Sequence, residues 1–322
     1  MSKKPIALIV AALALALAGA SPPAALAKSD KRLTIMSSMP NLAFPFFVHM
    51  MKEVKAEAKV LGDITVIESD GQGSTPKQTA DVEAAIIKGV DGIIISPKEV
   101  DAMAPVLKQA VDAGIPVVTI DRRVDGVAGI LAHVGADNVI GGKAQAELIM
   151  RLFPDGARIF NLQGEPGASP AIDRNNGVHQ VLDKESGKYK IIFEQTAYFA
   201  RDKGLSVTEA GLAGAAQPPD VIVAANDDMA LGALEAVRSA GLQDKIKILG
   251  FDALPEALAS IRDGGLTATI EQFPGGQSRR AVQILVKFLR QGKKPGQRVT
   301  LLTPIAITKD NIGKSERVGE LK

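Results

Sequence analysis

The stretch Ile115-Pro116-Val117-Val118-Thr119-Ile120-Asp121-Arg122-Arg123 is a short apolar run that stops in three charged residues. An uninterrupted, β-branched run of this length is typical of a strand covered on both faces, as in a parallel sheet flanked by helices. In open α/β sheets, ligands bind in the crevice at the carboxyl ends of the strands. Asp121 and Arg122 therefore stand where a polar ligand would be held. A surface ion pair closing a strand explains the same two residues equally well.

The first 27 residues have the pattern of an export signal. Two lysines precede an apolar run over residues 6–20, and Ala25-Leu26-Ala27 matches the small-x-small pattern of a signal peptidase site. The run is shorter than the roughly 20 residues that a membrane span needs. We expect cleavage before Lys28, with a retained membrane anchor as the alternative. A lipoprotein anchor is excluded because no cysteine follows the apolar run.

Charge and cysteine content exclude several classes of function. Without the two lysines of the signal, the chain has 36 basic and 36 acidic residues, so the mature protein is formally neutral. A nucleic-acid partner would require a basic stripe, and none is expected. The absence of cysteine excludes disulfides, thiolate catalysis and zinc–thiolate sites. The mature length suits two domains better than one core.

Strand-like and helix-like runs alternate from residue 32 onwards. The predicted strands cover residues 33–36, 64–67, 92–95, 115–120, 157–162, 190–193, 221–224, 246–249, 268–272 and 299–302. The predicted helices cover residues 45–61, 76–88, 102–113, 140–153, 172–184, 202–212, 229–240, 255–262 and 276–289. This order predicts an α/β protein of two Rossmann-like units, each with a parallel sheet and right-handed crossovers. The units meet near Gly135-Ala136, where no flexible linker is present.

Aromatic and planar polar side chains stand at or just after the ends of the predicted strands. They comprise the loop 41–47, Asp121 and Arg122 in the first unit, and Arg174, Phe199, Asn226, Asp252 and Gln272 in the second. Planar polar groups bind hydroxyls in pairs, and aromatic faces cover the C–H faces of a sugar ring. The set contains neither a nucleophile–base pair nor clustered metal ligands. It predicts carbohydrate recognition rather than catalysis, with no cofactor and no metal.

Several longer motifs carry a family resemblance. They are Pro45-Phe46-Phe47, residues 115–122, Asp137-Asn138-Val139-Ile140-Gly141-Gly142-Lys143, Gln163-Gly164 with Ser169 and Arg174, residues 199–204, residues 226–233, Gly250-Phe251-Asp252 and residues 268–272. In order, and over nearly the whole mature chain, they resemble the type I periplasmic binding proteins of bacterial ABC sugar transporters. The ribose-binding branch is the most similar. The resemblance implies a monomeric periplasmic receptor that binds a pentose or hexose and delivers it to a membrane permease.

The resemblance also assigns roles to the strand-end residues. In that family, the rings matching Phe46, Phe47 and Phe199 sandwich the sugar. The positions that hydrogen-bond the sugar hydroxyls match Asp121, Arg122, Arg174, Asn226, Asp252 and Gln272.

Three chain crossings between two lobes are a further implication of the resemblance. They are expected near Gly135, after Gln272 and near Leu301. The implied N-terminal lobe comprises residues 28–135 and 273–301, and the implied C-terminal lobe comprises residues 136–272 and 302–322. The helix that begins near Gly276 then returns to the N-terminal lobe.

The loop before Pro45 departs from the ribose-binding pattern. Ribose-like members have two asparagines there, the second of which bonds the sugar, whereas this chain has Ala43 and Phe44. Either Asn41 or Ser38 replaces that hydrogen bond, or Phe44 adds an apolar wall. The ligand is therefore left open between ribose, a deoxy sugar, another pentose, a hexose and a polyol.

Other classes of function require sequence features that differ from those of a transport receptor. A sugar-sensing transcription regulator would require a helix-turn-helix at the position of the export signal. A sugar-modifying enzyme would require at least one nucleophile or acid–base pair in the cleft. Asp227 and Asp228 precede a helix, where capping explains them better than catalysis. Asn226 is expected to cap the same helix, with or without binding a ligand. A receptor for a sugar-like signal molecule, or one for chemotaxis, remains compatible with the residues.

Overall fold

The computed structural model describes residues 32–321. The strands are β1 (Leu33–Met39), β2 (Ile64–Asp70), β3 (Gly92–Ile95), β4 (Val117–Ile120), β5 (Ala132–Ala136), β6 (Ala157–Gln163), β7 (Tyr189–Thr196), β8 (Val221–Ala224), β9 (Lys247–Leu249), β10 (Thr269–Glu271), β11 (Val299–Leu302) and β12 (Ile305–Ile307). The helices are α1 (Pro45–Leu61), α2 (Thr75–Lys88), α3 (Ala104–Asp112), α4 (Asn138–Leu152), α5 (Ser169–Leu182), α6 (Arg201–Gly214), α7 (Asp227–Ser239), α8 (Pro255–Arg262) and α9 (Pro274–Gln291). Short 3₁₀ helices cover Asp183–Glu185, Lys309–Lys314 and Val318–Glu320.

The larger sheet has six strands in the order β11-β5-β4-β3-β1-β2, and every neighbouring pair is parallel. Successive residues of a strand point to opposite faces, so Ile35 belongs to the core against α1 and α9 while Met36 belongs to the core against α2 and α3. Both residues are almost fully buried. This two-sided coverage explains why β3 and β4 consist of consecutive buried residues.

The smaller parallel sheet has four strands in the order β7-β6-β8-β9. Ile159 faces the core formed with α4 and α5, and its neighbour Phe160 faces the core formed with α6 and α7. Strands β10 and β12 form a separate antiparallel pair, with Ile270 opposite Ala306. The carboxyl ends of both parallel sheets supply the residues of the site described below.

The six-stranded sheet is one sheet system, and the four-stranded sheet together with the β10–β12 pair is the other. The chain passes between these two sheet systems three times. It leaves the six-stranded sheet after β5, returns after β10 through α9, which packs on α1 and β3 to β5, and leaves again after β11. Strand β11 pairs with β5, and β12 then pairs with β10. These passages are close together in the fold because β5 and β11 are neighbours.

The predicted α/β fold with parallel sheets flanked by helices is confirmed. Two strands were not predicted, namely β5 and β12. The β5 segment Ala132-His133-Val134-Gly135-Ala136 has a single β-branched residue and a glycine, so its composition does not favour a strand. It is ordered as a strand because it pairs with β4 on one side and β11 on the other.

Helix α1 places two aromatic rings near the carboxyl ends of the strands of the larger sheet. It begins at Pro45, whose missing N–H is unneeded in the first turn, and Gly62 ends it with φ of 70°. Its inner face includes Met50 and Val54, which are fully buried. Phe46 and Phe47 lie in its first turn and are buried as well.

The proposed export signal, residues 1–27, lies outside the described residues. Over residues 32–321, no helix is long and apolar enough to cross a membrane.

Candidate ligand-binding site

A cavity of about 350 Å³ lies where the carboxyl ends of the strands of the two parallel sheets face each other. The lining residues are Phe44, Phe46, Phe47, Asp121, Arg122, Pro170, Arg174, Phe199, Asn226, Asp252 and Gln272. Nine of the ten residues predicted from the sequence are therefore brought together, and Asn41 is the exception.

Three of the lining residues have backbone conformations that L-residues seldom adopt. Asp121, Phe199 and Asp252 have φ of 57°, 61° and 111°. Two of them are fixed by backbone hydrogen bonds, because Asp121 N donates to Val134 O at 3.0 Å and Asp252 N donates to Ile270 O at 2.8 Å. Such strain persists only where the surrounding structure imposes it, and it is concentrated at functional sites.

Arg122 lines the cavity from the end of β4 and is only 3% exposed. Its Nη1 donates to the Lys98 carbonyl oxygen at 2.8 Å and to Glu165 Oε2 at 3.1 Å. Its Nε is buried and has no hydrogen-bond partner among the described residues; Asp121 Oδ2 lies 3.9 Å from it. A buried donor without a partner costs about 1–3 kcal/mol, so a ligand oxygen at this position would be favoured.

Arg174, in the first turns of α5, is the second cavity arginine. Its Nε donates to Asn138 Oδ1 at 2.8 Å, and its Nη1 donates to the Ala225 carbonyl oxygen at 2.6 Å and to Asp252 Oδ1 at 3.4 Å. Burial lowers the pKa of the Arg174 guanidinium. The nearby carboxylates of Asp252 and Asp121 act against this shift. The planar group is therefore held in one orientation, with Nη2 left for other contacts.

The two cavity carboxylates have raised pKa values. Burial raises the pKa of Asp252 to about 7, although Arg174 and a hydrogen bond from Gln272 act against the shift. Burial also raises the pKa of Asp121, opposed by Arg122, Arg174 and a hydrogen bond from Ser96. Within residues 32–321, Asp121 Oδ1 and Asp252 Oδ2 accept no hydrogen bond from protein groups. Each carboxylate thus presents one oxygen that a ligand hydroxyl could bind.

Aromatic rings cover the remaining walls. Phe46 and Phe47 meet edge to face, with ring centroids 5.3 Å apart. The Arg122 guanidinium carbon lies 5.3 Å from the Phe47 centroid and 5.7 Å from the Phe199 centroid. Arg174 stacks on Phe251, at 3.6 Å from that centroid. The rings pack against the guanidinium groups and add apolar surface to the cavity wall.

Asn226 caps α7, as the sequence predicted, and it also lines the cavity. Its Oδ1 accepts from Met229 N at 3.0 Å, and its Nδ2 donates to the Phe199 carbonyl oxygen at 3.1 Å. Only one amide hydrogen is then left for a ligand. The side chain of Gln272 is directed to Asp252, because its Nε2 donates to Asp252 Oδ1 at 2.6 Å.

The structure does not bring Asn41 to the cavity. Asn41 Oδ1 instead accepts from Ala43 N at 2.9 Å, a local turn that turns the amide away from the site. Phe44 lines the cavity wall instead of Asn41, which is one of the alternatives that the sequence left open. Pro170 also lines the cavity and was not predicted; its position at the start of α5, four residues before Arg174, is the signal that could have indicated it.

A model of the periplasmic binding protein domain matches residues 35–294, and the chain belongs to this family of substrate-binding proteins. The predicted family is therefore confirmed. The ribose import binding protein of Bacillus subtilis is 41% identical over 248 residues, which cover 76% of this chain and 78% of that protein. The ribose import binding protein of Salmonella typhimurium is 34% identical over 295 residues, covering 91% and 95%.

One solved structure is similar to this chain along the whole length of the solved protein. The crystal structure of a Caulobacter myo-inositol binding protein, bound to myo-inositol, has a TM-score of 0.86 and 40% sequence identity. The match covers 92% of this chain and 100% of that one. The relatives of this chain thus include binding proteins for a pentose and for a cyclic polyol.

Proposed function

We propose that this protein is the periplasmic substrate-binding component of an ABC importer and that it binds one uncharged monosaccharide or cyclic polyol in the cavity between the sheets. The single observation that carries the proposal is the arrangement of Asp121–Arg122 and Arg174–Asp252. Both pairs are buried, and within residues 32–321 each keeps at least one polar atom without a protein partner. Asp121 and Arg122 follow strand β4, Asp252 follows strand β9, and Arg174 lies in the first turns of α5.

The charge balance of the cavity defines the chemistry of the ligand. Two aspartates and two arginines line one cavity, so their charges cancel when both carboxylates are ionised, which for Asp252, with its pKa of about 7, requires a pH above neutral. A carboxylate, phosphate or ammonium group on the ligand would disturb this balance at a buried site, where an unpaired charge is costly. A neutral ring with several hydroxyls would accept from the arginines and donate to the aspartates without adding charge.

The aromatic side chains at the cavity wall support a ring rather than an extended polyol. Phe47 and Phe199 both lie beside Arg122, and Phe44 adds a third ring where the ribose-binding pattern has an asparagine. Aromatic faces pack against the C–H faces of a closed ring. Ribose, bound by the Bacillus relative, and myo-inositol, bound by the Caulobacter protein, both meet this requirement.

Two lobes that close on the ligand complete the proposal. The N-terminal lobe comprises residues 28–135 and 273–301, and the C-terminal lobe comprises residues 136–272 and 302–322. A ligand that contacts both lobes shifts the hinge equilibrium towards the closed form, which a membrane permease then recognises. The mature chain, exported after cleavage before Lys28, acts as a monomer and does not catalyse a reaction.

A thermal-shift panel of the mature chain, residues 28–322, tests the proposal. The panel contains pentoses, hexoses, deoxy sugars and cyclic and acyclic polyols, with a sugar acid and an amino sugar as charged controls. A ligand at 100 times its dissociation constant adds about 2.7 kcal/mol to stability, which gives a clear rise in melting temperature. We expect a strong rise with a neutral ring and none with the charged controls. A flat panel would contradict the proposal.

A further inference from the structure

Outside the cavity, the two lobes also meet through protein–protein contacts at the cleft. The loop after β3 contacts the loop after β6: Val100 N donates to Gly167 O at 3.0 Å, and Lys98 Nζ forms an ion pair with Glu165 Oε1. On the same side, Arg123 N donates to Ser169 Oγ at 3.0 Å. These contacts join residues of the proposed N-terminal lobe to residues of the proposed C-terminal lobe.

Glu165 differs from the other contacts because it reaches a residue of the cavity. Its Oε1 binds Lys98 Nζ and its Oε2 accepts from Arg122 Nη1 at 3.1 Å. Glu165 itself does not line the cavity, and 23% of its side chain is exposed. One carboxylate from the C-terminal lobe therefore fixes a cavity arginine of the N-terminal lobe.

Hydrogen bonds within the proposed N-terminal lobe hold the two partners of Glu165, Lys98 and Arg122, in place. Lys98 N donates to Gln78 Oε1 at 2.8 Å, and the fully buried Gln78 also donates to the Ser96 carbonyl oxygen at 2.9 Å. The Lys98 carbonyl oxygen accepts the same Arg122 Nη1 that binds Glu165. Arg122 Nη1 is thus held by two oxygens, whereas Arg122 Nε has no hydrogen-bond partner within residues 32–321.

We propose that Glu165 is a positioning residue, which orients the Arg122 guanidinium for the ligand only when the two lobes are together. The proposal rests on the proposed function, because it assumes that a ligand binds the cavity. It predicts that affinity depends on a carboxylate that the ligand does not touch. Loss of this carboxylate should accelerate ligand release, since the contact forms in the closed complex, and should leave the association rate nearly unchanged.

Ligand binding by Glu165→Gln tests this role, with Asp173→Asn as the matched control. Asp173 is also a carboxylate of the C-terminal lobe paired with an arginine of the other lobe, but its partner Arg123 does not line the cavity. Hydrogen bonds to charged groups contribute about 1.5–3 kcal/mol, so Glu165→Gln should weaken binding about 10-fold to 100-fold. Asp173→Asn should change the dissociation constant by less than about threefold, as for a peripheral ion pair.

The best ligand of the panel is titrated into each variant by calorimetry, and its release is followed by stopped flow. Equal losses in both variants would show that the contacts only strengthen closure, and unchanged binding in Glu165→Gln would exclude any role; either result overturns the inference. If Glu165→Gln does not fold, Glu165→Asp keeps the charge one methylene further back and should show a smaller loss in the same direction. A wild-type protein that binds no panel member contradicts the proposed function and this inference with it.

Discussion

At the scale of single residues, the site consists of two aspartates and two arginines whose side chains are held by neighbouring polar groups. Asp252 is contacted by Arg174 and Gln272, and Asp121 by Ser96. The positive φ of both aspartates turns their side chains away from the direction that the strand would give them. The backbone thus fixes where the acceptors lie, and the arginines fix where the donors lie.

Replacement of Arg174 by lysine should weaken ligand binding at least about 10-fold and destabilise the protein by about 1–3 kcal/mol. Lysine is a point charge and cannot serve Asn138, the Ala225 carbonyl oxygen and Asp252 together, so buried acceptors lose their partners. Calorimetry and urea unfolding measure the two effects. Arg158→Lys, at a partly exposed pair with Asp220, is the control and should cost less than about 1 kcal/mol.

The raised pKa of Asp252 predicts a definite dependence of stability on pH. Because its folded pKa of about 7 exceeds the unfolded value near 4, its contribution is complete below about pH 4 and is lost as the pH rises to about 7. Asp252→Asn should therefore stabilise the ligand-free protein more at pH 8 than at pH 5. Urea unfolding at both pH values tests this, and an equal change at both would show that Asp252 ionises normally. Asp263→Asn, at an exposed carboxylate, provides a comparison.

At the scale of elements, close helix pairs position Arg174. Gly142 of α4 faces α5 so closely that an added Cβ would lie 2.1 Å from the Arg174 carbonyl oxygen, and one at Gly177 would lie 2.3 Å from the Val139 carbonyl oxygen. The pair α6 and α7 repeats the arrangement, with Gly232 against the Arg201 carbonyl oxygen at 2.1 Å. Each helix pair thus packs backbone against backbone.

Gly142→Ala should therefore destabilise the protein by about 1–3 kcal/mol and weaken ligand binding, because α5 has to move away and carries Arg174 with it. Gly214→Ala is the matched control at the end of α6. A Cβ there meets no atom within 4 Å, so this change should be neutral or slightly stabilising. Thermal unfolding and ligand titration of both variants measure the difference. A Gly142→Ala protein as stable as Gly214→Ala would contradict the close packing.

The strand ends were predictable from the sequence because buried parallel strands are apolar and the polar residues that follow them stand out. The run that ends at Asp121, and the helix that begins after Asn226, were placed correctly for this reason. The β5 strand could not be predicted, since its order comes from pairing with strands on both sides. The choice between Asn41 and Phe44 depended on the turn that holds Asn41 Oδ1 to Ala43 N, and a spacing argument does not contain that contact.

At the scale of the whole molecule, three chain passages lie beside the neighbouring strands β5 and β11, and the cavity lies between the sheets that they connect. The passage after β10 is fixed by the buried Glu271, which accepts from Phe273 N at 2.6 Å and from Ser315 Oγ at 2.8 Å. Burial raises the pKa of Glu271, opposed by these hydrogen bonds. The C-terminal segment is thereby tied to the point where α9 begins.

Ligand should make the molecule more compact. Small-angle scattering of the ligand-free chain should give a larger radius of gyration than the saturated chain, because a ligand held by both lobes favours closure. A panel sugar that gives no thermal shift serves as the control and should leave the radius unchanged. Equal radii with and without the bound ligand would show that the lobes do not move relative to each other.

Calorimetric titration of the best panel ligand into wild-type protein, Asp121→Ala and Asp252→Ala tests most directly whether the ligand binds in the cavity between the sheets. From the proposed function we expect one site in the wild type and a loss of affinity of about 10-fold to 100-fold in each variant, because both aspartates line the cavity and would each bind the same ligand. Wild-type affinity in either variant would place the ligand outside this cavity and contradict the proposed function.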